Sequence, residues 1–465
     1  MADLENFFLP SSIAIIGASP DRGKIRGRLV ARLIESGFKG IIYPVNPNHK
    51  EIMGYKTYPS VKDIPDSCDL ALVAVPAAVV PDTLRTLIIH NCFQAVIYSS
   101  GFAEAGGDYK NLENEIQVLA ADNNMTILGP NAVGFLNVAG AVAATFSPGI
   151  QVTRTRPTQT HRGTQLVIIS QSGGLGFSIY QQAISRSIAV SHVVSTGNEA
   201  GLTVLDIVEY ALKDETVGCI LVYVEQIREI SRLRPLAEKA LKQGVPIVVV
   251  KAGRSEAGRR AAISHTASMV GNDNTHTKVF EHLGIFRVYD QHEMLDLAAA
   301  FTTAPLPKND RVGIVSMSGG GAIWLTDACE DAGLQIPELS TSLQQKLRPL
   351  VPHYGGVTNP IDLTANSLEN NTRIQAIELL YNSDEVDSIV VVATLSEPGI
   401  LNKEKLALAN LASRMEKPLF FCSYTMPHSE NLDILANCGI AVFSSFTGCA
   451  RALNCLTEYA TIKGI

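Results

Sequence analysis

The sequence predicts an α/β protein built of doubly wound parallel sheets, and three observations carry that expectation. Short β-branched runs alternate with longer amphipathic segments along the chain, the pattern of parallel-sheet architecture. Several of these runs end directly in glycine- or proline-bearing turns, at Gly17, Pro47, Pro76 and Gly101, where open α/β sheets present ligand-binding groups. One stretch, QLVIISQSGG (Gln165–Gly174), recurs without gaps as RVGIVSMSGG (Arg311–Gly320), 146 positions further on.

At 465 residues the chain exceeds one ordinary core, so roughly two to four domains are expected. Hydrophobic residues make up 46% and charged residues 18%, which excludes a disordered or collagen-like chain. No apolar run reaches the roughly 18–20 residues that span a bilayer. The first residues, MADLENFFLPSS, carry acids before their apolar stretch and do not read as a secretory signal. A net charge of −7 with no basic run argues against nucleic acid as a partner. A soluble cytoplasmic protein with neither membrane nor nucleic-acid contacts is expected. The eight cysteines show no metal-ligand spacing, so they read as reduced thiols of a core and no metal site is expected.

In the first stretch, strands are predicted at Ser12–Ile16, Ile41–Val45, Leu70–Val75, Ala95–Tyr98 and Thr126–Leu128, with helices such as Ile25–Ser36 and Val80–His90 between them. This domain is placed at residues 1–137. Residues 138–163, rich in Pro, Thr and Arg toward their end, read as a linker or surface loop. The repeat then defines two flavodoxin-like domains, 164–300 and 308–465. In each copy a buried strand runs into Ser-x-Ser-Gly-Gly and a helical pattern. A second strand follows (Cys219–Val224; Ser388–Ala393), then a third after a proline (Pro246–Lys251; Pro418–Ser423). After that third strand the copies part. The last domain uses the short link Tyr424–Ser429, whereas the middle one has a long polar stretch, Ala252 to about Asn274, read here as a functional loop.

Three groups of residues have the character of a site. The first is the turn Gly17-Ala18-Ser19 with Lys24, joined by Asn46-Pro47, Val75-Pro76 and Ser99-Ser100-Gly101 at the ends of the next strands. Alone, the first turn is equally well a tight turn with solvated basic residues, since a strict GxGxxG is missing; together the four favour a nucleotide-bearing ligand. The second group is the pair of helix starts Ser172-Gly173-Gly174 and Ser318-Gly319-Gly320-Gly321. Singly each is an ordinary N-cap, but two equivalent copies fit helix ends that share an anion. The third is His265, flanked by Ser264 and Thr266 in the long polar stretch. A neutral imidazole nitrogen can attack phosphorus and hold the group covalently, given a carboxylate to orient the ring. Glu225, at the end of the second strand of the same domain, is placed to do so, or is a plain surface carboxylate.

With these residues assembled, the chain resembles the NDP-forming acyl-CoA synthetases, relatives of succinyl-CoA synthetase, and within them the alpha subunit of ADP-forming acetate–CoA ligases. The resemblance runs through Ser12–Ser19, Tyr43–Pro47, Ser100–Gly106, Ile127–Asn131, Ser170–Gly174, Gly197–Ala200, Ser264–Thr266 and Thr358–Leu363. It implies an N-terminal Rossmann-like CoA-binding domain, followed by two flavodoxin-like, succinyl-CoA synthetase-like domains. It implies that Gly17, Ala18, Ser19, Lys24, Asn46, Pro47, Val75, Pro76, Ser99, Ser100 and Gly101 hold CoA, with Asn131 and Ala132 at the acyl pocket. It makes His265 a phosphohistidine, Glu225 its orienting carboxylate, and the two Ser-Gly-Gly starts its phosphate cradles.

The implied reaction is acyl-CoA + ADP + phosphate ⇌ carboxylic acid + CoA + ATP through an acyl phosphate. No ATP-grasp domain is found in the chain. The resemblance therefore puts ADP/ATP and Mg²⁺ on a separate ATP-grasp beta subunit in an alpha2-beta2 assembly. Two positions depart from the family, which usually has Cys where Ala132 stands and often Asp where Gly201 stands. The identity of the acid and the choice of ADP or GDP stay open. A non-catalytic CoA-binding scaffold on the same fold is the alternative, and it leaves Ser264-His265-Thr266, Glu225 and both Ser-Gly-Gly starts without a purpose. A small-ligand receptor with paired lobes explains the repeat but not the histidine.

Overall fold

The computed structural model describes residues 4–150, 163–266, 273–364 and 371–465, without the side chains of residues 263–266. The chain divides into two compact units. One comprises Met1–Arg154, Leu166–Gln181 and Val190–Arg287, and the other includes Gln182–Ala189 and Val288–Ile465.

The first unit contains two sheets. In the N-terminal one, five parallel strands lie in the order Ile41–Val45, Ser12–Ile16, Leu70–Val73, Gln94–Ile97, Thr126–Leu128. A single parallel bridge from Val45 to Tyr58 stands at its edge, where the Rossmann order has a further strand. The strand order reverses between Ser12–Ile16 and Leu70–Val73, the crevice in which such sheets bind ligands. Gly17 follows the first of these strands at φ +88°, and a Cβ there would stand 2.8 Å from the Ala74 carbonyl oxygen, so the turn needs glycine. The predicted strands and helices of this domain are present, with ends shifted by one or two residues.

The second sheet has seven strands. Five are parallel in the order Phe286–Arg287, Ile247–Lys251, Val217–Val224, Gln165–Ser170, Val190–Ser195. An antiparallel hairpin, Gly134–Asn137 and Val142–Thr145, completes it against Val190–Ser195. Residues 138–163 are therefore not simply a linker. Both hairpin strands are buried along their whole length, so the alternation that marks a half-exposed strand is missing from FLN and VAAT. Phe7 and Phe8, on the short helix Glu5–Phe8, pack on Phe135 with ring centroids 5.8 and 4.9 Å away. Side chains of both sheets contribute to one continuous core.

The polar stretch after Lys251 also differs from expectation. Among its described residues it forms a helix over Glu256–Thr266, and a second helix runs over Asp273–His282; residues 267–272 of the expected loop lie outside the described residues. EAGRRAAISHT is rich in helix formers, and Ser255 caps it by accepting from the Gly258 N–H at 3.0 Å.

The second unit holds five parallel strands in the order Ile361–Asp362, Val312–Ser316, Ser388–Ala393, Leu419–Ser423, Ala441–Phe443. Counted from the repeated strand, the middle and last sheets share the order 2-1-3-4-5. The expected boundary at 300 falls inside the helix Gln291–Thr303, which packs against Phe446–Lys463 in this unit. Among the described residues, no helix is long and apolar enough to cross a membrane.

Candidate functional site

At the carboxyl ends of the strands of the first unit lies a cavity of about 330 Å³. Its wall includes Lys110, Glu113, Asn131, Gln171, Asn198, Glu199, Glu225 and Arg228. The segment Val224-Glu225-Gln226 leaves strand Val217–Val224 and is fastened at once by Gln171, from the turn after the neighbouring strand. Gln171 Oε1 accepts from the backbone N–H groups of Glu225 (2.7 Å) and Gln226 (3.0 Å), and its Nε2 donates to the Gln226 carbonyl at 2.7 Å. The Glu225 side chain thus enters the cavity wall from a fixed root, and the residue is buried.

Glu199 stands at φ +59° after Gly197, a close turn in which a Cβ on Gly197 would meet the Pro130 carbonyl oxygen at 2.3 Å. Its Oε1 accepts from Thr196 Oγ1 and the Val204 N–H, both at 3.0 Å. Burial nevertheless pushes this carboxyl above the ordinary range, outweighing those bonds and the nearby Arg228. Arg228 donates to the Asn198 and Glu199 carbonyls at 2.7 and 3.3 Å. Asn198 Nδ2 donates in turn to Glu113 at 2.8 Å and to Glu104. Glu104 also accepts from the Gly101 N–H at 2.6 Å. Asn131, at φ +57°, reaches Asn198 Oδ1 at 3.3 Å, and Ala132 behind it is buried.

His265 lies in the last turn of helix Glu256–Thr266, and its side chain is outside the described residues. The helix packs beside the short turn Ala103–Ala105, of which Ala103 lines the Glu225 cavity.

The residues expected to hold CoA lie along the carboxyl edge of the N-terminal sheet. The Gly17 N–H donates to the Val45 carbonyl at 2.9 Å, and Asn46 Nδ2 to the Ala18 carbonyl at 2.7 Å, so two of the expected turns brace each other. Ser99 Oγ donates to the Val75 carbonyl, which joins the other two. Pro47 and Ser100 are exposed, while Ser19 and Pro76 are partly or fully open at the same edge. Helix Ile25–Ser36 starts after Lys24 with no side-chain cap, leaving its first N–H groups available, and a Cβ on Gly27 would strike the Asp21 carbonyl oxygen at 2.0 Å. Exposed Lys24 and Arg26 flank this start. An uncapped, basic helix start beside a switch-point crevice fits a polyphosphate-bearing ligand.

The two Ser-Gly-Gly turns are built alike, though Ser172 belongs to one unit and Ser318 to the other. Helices begin at Gly173 and Gly319, and Gly174 and Gly320 have open space where a Cβ would be. Gly201, where the family often has Asp, has no such room: a Cβ would meet the Ile127 carbonyl oxygen at 2.4 Å.

Glu104, Glu113, Asn198, Glu199, Arg228 and Gln171 escaped the sequence reading as site residues. Most are ordinary polar residues far apart in the chain, and only folding assembles them. Glu104, Gln171, Asn198 and Glu199 lie in segments that carry the family resemblance, Ser100–Gly106, Ser170–Gly174 and Gly197–Ala200, whereas Glu113 and Arg228 lie in none.

Comparison with known proteins agrees with this arrangement. Residues 11–137 match the CoA binding domain, 163–301 the succinyl-CoA ligase like flavodoxin domain and 312–418 the ligase-CoA domain. The class is that of the CoA ligases built on succinyl-CoA ligase-like domains. The subunit alpha of acetate–CoA ligase [ADP-forming] I from Pyrococcus furiosus is 34% identical over 99% of this chain and 98% of its own. Acetate–CoA ligase [ADP-forming] II from Archaeoglobus fulgidus is 34% identical over 98% of this chain, which spans 67% of that longer protein. The solved acetyl-coenzyme A synthetase 1 of Ca. Korarchaeum cryptofilum, in complex with phosphate and ADP, superposes with a TM-score of 0.87 at 30% identity, covering 100% of this chain and 98% of that one. The chain belongs to the family of ADP-forming acetate–CoA ligases.

Proposed function

We propose that the chain is the alpha subunit of an ADP-forming acyl-CoA ligase and carries its phosphohistidine at His265. Phosphate attacks the thioester carbonyl carbon of acyl-CoA; the carbon–sulfur bond breaks, CoA leaves, and an acyl phosphate remains. An imidazole nitrogen of His265 then attacks phosphorus, and the carboxylic acid departs as the carboxylate. The phosphoryl group passes to ADP on an ATP-grasp partner subunit, which supplies the nucleotide and Mg²⁺ site in an alpha2-beta2 assembly.

The observation that carries this reading is the seat of helix Glu256–Thr266 against the Ala103–Ala105 turn, at the wall of the cavity that holds Glu225. Glu225 orients the His265 ring, and the glycine-led helix start at Ser172 offers N–H groups and dipole to the phosphoryl group. The N-terminal sheet's edge, from Gly17 to Gly101, holds CoA, and Asn131 and Ala132 border the acyl group.

Incubation of the chain with acetyl-CoA and radiolabelled phosphate tests the reading. An acid-labile, base-stable label is expected on the wild type and none on His265→Ala, with both melting alike. Equal labelling of the two proteins, or none on the wild type with any of a panel of acyl-CoA esters, would overturn it.

A further inference from the structure

The middle and last sheets offer an internal control for the cavity. The Gln171 N–H donates to the Tyr223 carbonyl at 3.1 Å, and the Met317 N–H to the Val392 carbonyl at 2.9 Å. These bonds put the two copies in register: Gln171 corresponds to Met317, Glu225 to Thr394 and Gln226 to Leu395. In the last sheet, then, the fold makes the same turn with no polar side chain at the first position and no carboxylate at the second. There the Leu395 N–H is served by Thr425 Oγ1 at 3.2 Å, from the end of the next strand. The Ser-x-Ser-Gly-Gly turn itself does not need a glutamine.

Where the carboxylate is present, the glutamine is present too, and it spends three hydrogen bonds on the backbone of residues 225 and 226. Its side chain also contacts buried Glu199. A primary amide suits this task. One oxygen accepts from two successive N–H groups while the nitrogen donates to a carbonyl, a combination that neither a carboxylate nor a thioether supplies.

We infer that Gln171 is a positioning residue of the phosphoryl-transfer site: it fixes the backbone root of Glu225, and through it the carboxylate that orients His265. This rests on the reading given under Proposed function. Gln171 does not touch the reacting atoms; it determines where the carboxylate stands, and an error of an ångström there costs about 100-fold.

The test is Gln171→Met, the residue that the copy shows to be compatible with this turn. Labelling from acetyl-CoA and radiolabelled phosphate is expected to slow at least about tenfold, with the melting temperature within about 2 °C of wild type and CoA binding unchanged. In a Glu225→Gln background the same substitution is expected to change the rate less than about twofold, because both changes act through one group. A wild-type rate for Gln171→Met overturns the inference. So does a loss that persists in full in the Glu225→Gln background, or one that follows a lowered melting temperature. If His265→Ala abolishes the label while Gln171→Met does not slow it, the proposed function stands and only this inference falls; if the wild type takes no label, both fall.

Discussion

In the middle sheet the serine that ends the first strand, Ser170, donates to the Ser172 carbonyl at 2.6 Å; in the last sheet Ser316 does the same to Ser318 at 2.7 Å. Both hydroxyls lie on residues with no exposure, and each directs the chain from strand into a glycine-led helix. One residue later the copies diverge. Gln171 clamps the root of Glu225, while its counterpart Met317 is part of the hydrophobic core and the counterpart of Glu225 is Thr394. After the fourth parallel strand, the middle copy inserts the helix that carries His265, whereas the last reaches helix Ser429–Asn437 through a short link. The frame and the chemistry are separable: the hydrogen bonds that build the turn persist where those that serve the carboxylate have gone.

The copies also differ in how they hold charge. In the last domain Arg373 is 1% exposed and donates through Nε to Glu404 at 2.9 Å, with a second bond from Nη2. In the middle domain Arg232 meets Asp206 at 2.8 Å, Glu209 at 3.2 Å and Glu229 at 2.9 Å, with its side chain 29% exposed. Removing one member of a buried pair strands a charge, while water reaches and screens a half-buried cluster. Arg373→Met is therefore expected to destabilise by about 3–5 kcal/mol and Arg232→Met by under about 1 kcal/mol, read from urea unfolding at pH 7. Equal costs would mean that burial is not what sets the two arginines apart.

The next contrast is in acid. His192 lies on strand Val190–Ser195, packed edge-on against the adjoining rings of Phe8 and Tyr210, and burial lowers its pKa to about 4. The strands of the last sheet carry no histidine. The unfolded chain takes up this proton near pH 6.5 and the folded chain only near 4. The stabilisation is thus complete above about pH 6.5 and is lost as pH falls toward 4, by about 3 kcal/mol in all. His192→Phe is expected to flatten this limb in a pH series of thermal melts, without changing the behaviour of the last domain. An unchanged limb would place the acid sensitivity elsewhere.

The smallest expected effect tests the likeness itself. Ser170→Ala and Ser316→Ala each remove one hydrogen bond to a carbonyl that keeps a helical N–H donor, from Gly176 at 3.3 Å and Ala322 at 2.9 Å, and each is expected to cost about 1 kcal/mol. A clear inequality between them would show that the two turns, alike in geometry, are not alike in energy.

Much of the frame was legible in the chain. Strands such as Ser12–Ile16 and Ser388–Ala393 are β-branched runs between turn residues, and the SxSGG repeat exposed the duplication directly. The hairpin Gly134–Thr145 was not legible, because strands buried on both faces lose their alternation. Helix Glu256–Thr266 is hard to tell from a loop in the sequence, because small and polar residues are frequent in both. At the site, Glu225 and the glycine turns were found from their position after strands. The ring of Glu104, Glu113, Asn198 and Arg228 was not: the segments of Glu104 and Asn198 carry the resemblance, but no local pattern pairs them with each other or with Glu113 and Arg228.

The amino-acid sequence alone determined the order of elements, the duplication and the residues able to carry phosphoryl chemistry, because those depend on local pattern and side-chain type. Only the tertiary structure decided that Asn198 would bind Glu113 across 85 positions, and that Gln171 would hold Glu225 across 54. Such pairings depend on which strands become neighbours and where each one ends, and that is settled by burying the whole core at once.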